Sequence, residues 1–193
     1  MMATDQSTGL DSRPAPHDGP SGAEMRRALG HFASGVTIVT GAGADGPVGF
    51  ACQSFASVSL DPPLVLFCAD HRGRAWPIIR AAGVFTVNVL AADQIDLCMR
   101  FGSRDGAKFR DLDWTASPWG SPSFPETIVQ IHAKVETVYT AGDHDVIIGR
   151  VLSLSEADAD ARPLLFYRGR FGLDDGDPSF VTPITWGWDD HWW

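Results

Sequence analysis

The residues best placed to do chemistry are concentrated in GFACQSFASVSLDPPLVLFC, residues 49–68. Gln53, Ser54, Ser57 and Ser59 sit there among small side chains. Side chains two apart on a strand point to the same face, so Ser57 and Ser59 are expected side by side. Hydroxyls and free backbone N–H groups over a floor of small residues can hold a polar chain or a phosphate. The same pattern also fits ordinary serines on a wet strand surface.

A second candidate is charge placement. From His71 to Arg110 the chain carries seven cations, Arg72, Arg74, Arg80, Arg100, Arg104, Lys108 and Arg110, against Asp93, Asp96 and Asp105. The whole chain has a formal charge of −9, with 15 Lys+Arg and 24 Asp+Glu. A basic island on an acidic protein suggests a local anion site, because guanidinium groups pair with phosphate oxygens two at a time. Two or three of these side chains are expected at a ligand and the others on solvated faces.

The third candidate is Gly142-Asp143-His144, between two long apolar stretches. A histidine in such a turn can donate a hydrogen bond to a carbonyl or carboxamide near neutral pH, or can simply satisfy its own backbone. Tyr167-Arg168-Gly169 could close the same pocket. His31 and His132 read as structural, and the histidine spacing supports no metal cage. Cys52 has no evident base near it in sequence, and no G-x-S-x-G elbow surrounds the serines. Phosphate-loop, dinucleotide-fingerprint and zinc-peptidase signatures are absent.

These groups must be positioned by the elements between them. Residues 23–34 (AEMRRALGHFAS) read as a short amphipathic helix stopped by Gly35, followed by a β-branched strand at 36–40. Strands are expected at 48–54, 55–60, 64–69 and 84–90. Helices are expected at 74–83, with Pro77 in the first turn and Gly83 as the stop, and at 92–101. A loop at 102–126 leads to long strands at 127–140 and 145–154, and LLFYRG (164–169) is the last strand of the body. Short consecutive strands with three helical pieces argue against a parallel doubly wound sheet. They predict a mainly β protein, a small antiparallel barrel with peripheral helices.

The chain has 193 residues, 44% of them hydrophobic and 20% charged, enough for one domain with a core. Its acidic balance argues against nucleic acid as a partner, and no apolar run is long enough to cross a membrane. Three cysteines, Cys52, Cys68 and Cys98, form no C-x-x-C pair, so a reduced, cytoplasmic setting is expected. Residues 1–22 read as a disordered leader without a signal sequence, and 23–171 as one body. The tail, 172–193, carries five Asp and four Trp, and is expected to pack on the body or on a partner subunit.

Taken together and in order, RALGHFASGVTIVT, GFACQSFASVSLDPPLVLFC, VFTVNVLAADQIDLCMRF, GSP (120–122), GDHDVIIGRV and LLFYRGRF resemble the flavin reductase family with an FMN-binding split barrel. Its members are the reductase components of two-component flavin-dependent monooxygenases. The GFACQSF variant is most similar to actinobacterial reductases that serve aromatic or secosteroid hydroxylases. The similarity covers about residues 24–171.

The resemblance implies a homodimeric split barrel, NADH (with NADPH possible) as hydride donor and FAD or FMN as acceptor. It also implies a separate flavin-dependent oxygenase that receives the reduced flavin. By motif, Gln53 and Ser54 border the flavin ring, and Ser57, Val58 and Ser59 line ring and ribityl chain. Cys68 lies under the ring. Arg74, Phe101 and Lys108 meet the phosphate or adenylate half, and Gly35, Val36 and Thr37 approach flavin or nicotinamide. His144 faces the nicotinamide, with Tyr167 near it. Two other readings stay open: an FMN-dependent oxidase with tightly held flavin, and a non-enzymatic flavin- or haem-binding module.

Overall fold

The computed structural model describes residues 19–104 and 106–172. The expected leader up to residue 18 and the Trp-rich stretch 173–193 lie outside the described residues. Three helices, α1 (Gly22–Leu29), α2 (Ala75–Ala82) and α3 (Ile95–Gly102), flank antiparallel sheets. The main sheet has seven strands: β2 (Thr37–Gly43), β3 (Gly46–Cys52), β4 (Ala56–Leu60), β5 (Pro63–Asp70), β6 (Val84–Val89), β9 (Val129–Ala141) and β10 (His144–Leu154). Their order is β3-β2-β6-β9-β10-β5-β4. β1 (Ser34–Gly35) pairs with β11 (Leu165–Tyr167), which pairs with β12 (Arg170–Phe171). β7 (Thr115–Ala116) pairs with β8 (Pro122–Ser123) inside the segment expected to be all loop.

The mainly β, antiparallel architecture with peripheral helices matches the expectation from the strand pattern. The barrel, however, is not closed by a ladder. The sheet curls until the residues after β3 reach β5, and there a side chain makes the connection. Ser54 Oγ accepts from the Cys68 backbone N–H at 2.8 Å, a donor that no strand pairs on that side. An unpaired strand N–H is a costly group to leave dry, and this hydroxyl satisfies it.

Several boundaries moved for local reasons. α1 starts within the expected leader, because Ser21 and Glu24 form a reciprocal capping box. It stops at Leu29 rather than running to 34. Gly30 is a poor helix residue, and its carbonyl accepts from Arg168 N. The expected last strand, 164–169, is one arm of a hairpin: Tyr167 pairs with Arg170, and both loop residues, Arg168 (φ 51°) and Gly169 (φ 77°), have positive φ. Two consecutive positive φ angles match the right-handed twist of the flanking strands.

One side of the sheet packs Phe67, Phe85, Trp76 and Ile79, all buried, with Phe67 edge-on to both Trp76 and Phe85. Burying a side chain of this size contributes roughly 1.5–3 kcal/mol. A second cluster, Phe101, Phe124, Leu90 and Leu164, sits beneath α3. α3 lies close against β3 because Gly49 has no side chain. A Cβ there would stand 2.9 Å from the Phe101 ring and 3.0 Å from the Val39 carbonyl.

Candidate active site

Between the ends of β3 and β5, the connections flanking α2 and α3, and the β9–β10 hairpin lies a cavity of about 1270 Å³. The hairpin is set by Gly142 and Asp143, since Ala141 pairs directly with His144. Gly142 has φ 65° at the first loop position, where a tight hairpin requires a positive φ. His144 is therefore the first residue of β10 rather than part of the turn, and its side chain, 17% exposed, lines the cavity.

His144 Nδ1 is 2.7 Å from Asp143 Oδ1, and that bond holds the Asp143 carboxyl below its usual range. With Nδ1 engaged, Nε2 is the nitrogen left to a ligand, with no partner among the described residues. In the same lining, the Gln53 side chain accepts from Ser34 Oγ, but its Nε2 is buried with no acceptor. Such a donor costs about 1–3 kcal/mol unless something supplies an acceptor. Ser54 Oγ, besides its bond from Cys68 N, lies 3.3 Å from Cys52 Sγ. Burial pushes the Cys52 thiol up, so it is a packing group rather than a nucleophile.

Among the described residues, the cavity lining carries four cations, Arg72, Arg74, Arg104 and Lys108, against two carboxylates, Asp70 and Asp143. Arg72 forms a bidentate pair with Asp70, and Lys108 Nζ donates to the Phe101 carbonyl at 2.6 Å. Arg74 donates to the Arg104 carbonyl. Among the described lining residues cations outnumber carboxylates, which on an acidic protein favours an anionic ligand.

Of the site residues expected from the sequence, Gln53, Ser54, Cys68, Arg74, Phe101, Lys108 and His144 all line this cavity. Phe101 does so from the core: it is 1% exposed and edge-on to Phe109. Gly35, Val36, Thr37, Ser57, Val58, Ser59 and Tyr167 are not among the residues that line the cavity. Val36 and Thr37 are buried, and the Thr37 hydroxyl donates to the Cys52 carbonyl. Gly35 is exposed beside β11, and half-buried Tyr167 has the Arg168 guanidinium over its ring.

The expectation that Ser57 and Ser59 share a face is overturned. Val58 is an extra residue in β4, so Ser57 pairs with Val65 but Ser59 pairs with Leu64. Val65 and Leu64 are consecutive and point to opposite faces, and the two serines follow them.

Sequence reasoning missed Asp145. It is 4% exposed and accepts from Trp76 Nε1 (2.8 Å), His71 Nε2 (3.0 Å) and Thr140 Oγ1 (3.0 Å), with Arg80 at 3.5 Å. These bonds, Trp76 first, draw its carboxyl down to about 2, so it is ionised throughout the range of folded life. The signal was present in the strand parity. On β10, Asp145 alternates with Ile147 and Gly149, which are core positions, and an acid at core parity must have partners waiting. Among the described residues, no group of His, Cys, Asp and Glu could hold a metal ion, and no helix is long and apolar enough to cross a membrane.

The family described as the flavin reductase like domain matches residues 29–172. The chain is 50% identical over 163 residues to the flavin-dependent monooxygenase reductase subunit HsaB of Rhodococcus jostii, covering 84% of this chain and 82% of that protein. Among solved structures it resembles nitrilotriacetate monooxygenase component B from Mycobacterium thermoresistibile. That likeness has 47% identity and a TM-score of 0.74, and covers 86% of this chain and 92% of that one. The NADH:FAD oxidoreductase SgcE6 of Streptomyces globisporus, solved with NAD and FAD fragments, is 32% identical. Its TM-score is 0.74, with coverage of 80% of this chain and 94% of that one.

Proposed function

The chain belongs to the flavin reductase like domain family, and from that premise we propose that it is an NADH-dependent flavin reductase. In this proposal it acts as a homodimeric split barrel in the cytoplasm and hands reduced FAD or FMN to a separate flavin-dependent oxygenase. The observation that carries this is one cavity whose lining gathers Gln53, which keeps a buried unpaired amide donor, with His144 and a group of cations. A flavin fits these groups chemically. Its ring offers carbonyl acceptors to Gln53 Nε2, and its phosphate groups offer anions to Arg74 and Lys108.

A bound flavin would supply the acceptor for a hydride leaving the nicotinamide C4 of NADH. Everything else asked of the chain is binding, orientation and exclusion of water. Gln53 and Ser54 hold the ring end at the seam between β3 and β5, over Cys68. His144, steadied by Asp143, presents Nε2 to the carboxamide of the donor and fixes its orientation. Arg74 and Lys108 hold phosphate. Ser57 and Val58 take the rest of the flavin where it leaves the cavity over the edge strand β4, and Ser59, on the other face of that strand, does not share this contact. Support for that route is its shortness: only Phe55 and Ala56 separate Ser54 from Ser57, and Ser57 and Val58 are exposed.

NADH consumption with FAD, with FMN and without added flavin, repeated with NADPH, tests the proposal. Flavin-dependent oxidation of NADH is expected, and retained flavin without turnover of added flavin would instead indicate an oxidase. His144→Ala is expected to raise the KM for NADH about tenfold, an effect of one lost hydrogen bond to an ionisable partner. Flavin affinity should stay within about twofold. Unchanged NADH kinetics would remove His144 from the site.

A further inference from the structure

Asp145 is not among the cavity's lining residues and lies on the opposite face of β10 from His144, yet its bonds run to the segment that leads into α2, to α2 itself and to β9. His71 joins twice: its backbone N–H donates to the Asp143 carbonyl at 3.0 Å, and its Nε2 meets Asp145 Oδ1 at 3.0 Å. His71 opens the segment that brings Arg72 and Arg74 to the cavity wall. Trp76, in the first turn of α2, fixes the other end of that segment by donating to Asp145 Oδ2. Thr140 adds the β9 side of the hairpin.

We propose that Asp145 is a positioning residue for NADH. Its carboxylate clamps the 71–76 segment to the β9–β10 hairpin and so sets the separation between the cations that take phosphate and the His144 imidazole that meets the carboxamide. This rests on the reductase function proposed above. A backbone pinned at residue 145 leaves the Cα of residue 144 little freedom, so the His144 side chain starts from a fixed point. The Gln53–Ser54 end of the cavity is held by bonds of its own, between Ser54 and Cys68, none of which involves the Asp145 carboxylate. The four donors converge on two carboxylate oxygens, and a neutral amide of the same shape cannot accept them all. One of its two termini becomes a donor facing donors.

The test is Asp145→Asn, with NAD⁺ and flavin affinities measured separately by calorimetric titration and NADH kinetics alongside. NAD⁺ affinity is expected to fall at least tenfold and the KM for NADH to rise by the same factor. Flavin affinity and kcat should stay within about threefold, since a clamp on donor placement spares the flavin end. Loss of both affinities in equal proportion, or of neither, would overturn the proposal. Should Asp145→Asn fail to fold, His71→Ala, which cuts a single tie at a part-exposed ring, is expected to weaken NAD⁺ about threefold and flavin not at all. The same two outcomes would overturn it there. Titration needs no turnover, so a parent chain that binds both ligands without oxidising NADH removes the reductase function, while the Asp145 comparison is still decided.

Discussion

Two serine-bearing segments, separated by only two residues in the chain, behave differently. Gln53-Ser54 follows β3 and turns into the cavity, where Ser54 bridges to β5 and Gln53 keeps an unmatched amide donor. Ser57-Val58-Ser59 lies on the edge strand β4, where the bulge at Val58 sends its two hydroxyls to opposite faces. The first segment is held by contacts with a strand that is not its ladder neighbour. The second is held by a ladder alone, with Val58 46% exposed. Similar residues in one stretch thus acquire different roles from what lies across from them.

Substitutions can sharpen that contrast or break it. The largest effect is expected for Gln53→Met, which keeps the volume and removes the orphan donor. Flavin affinity should fall by about tenfold or more, whereas the ligand-free protein should gain about 1 kcal/mol, because an unsatisfied buried group has gone. Opposite signs in flavin titration and denaturant unfolding are the signature. If both fall together, Gln53 is a structural residue and the contrast with β4 disappears.

Ser54→Ala comes next. It strips the Cys68 N–H of its acceptor and should cost about 1 kcal/mol of stability, with flavin affinity down several-fold. Both losses are expected together, because the same hydroxyl shapes the seam and borders the ligand. Ser57→Ala is expected to be the mildest, with flavin affinity about threefold weaker and unfolding unchanged. No change in flavin binding would confine the ligand to the cavity and leave β4 out of the site. A loss as large as that of Ser54→Ala would make the two segments one continuous surface.

Much of the fold is legible in the sequence because its determinants are local. The alternation in HDVIIGRV reports a strand whose inner positions are Asp145, Ile147 and Gly149, and Gly142-Asp143 reports the hairpin that presents His144. Gly83, with φ 73° and its N–H on the Ile79 carbonyl, ends α2 where the pattern expects. β12 was missed because a two-residue arm is too short to show a period. β7 and β8 were missed for the same reason.

The site was legible only in part. The basic island did mark a wall, since Arg72, Arg74, Arg104 and Lys108 converge on it from two helix-flanking loops. Which arginines would do so, and that Arg80 would turn instead toward Asp145, depends on helix orientation and not on charge count. By itself the sequence determined the order of the longer strands and their turns, the Gly83 stop of α2 and the motifs that mark a flavin reductase, because each is written in neighbouring residues. Only the tertiary structure decided that one extra residue in β4 parts Ser57 from Ser59, that Ser54 closes the seam onto Cys68, and that Asp145 gathers donors from three separate elements. Those outcomes depend on strand register and sheet curvature, which are settled between residues far apart in the chain.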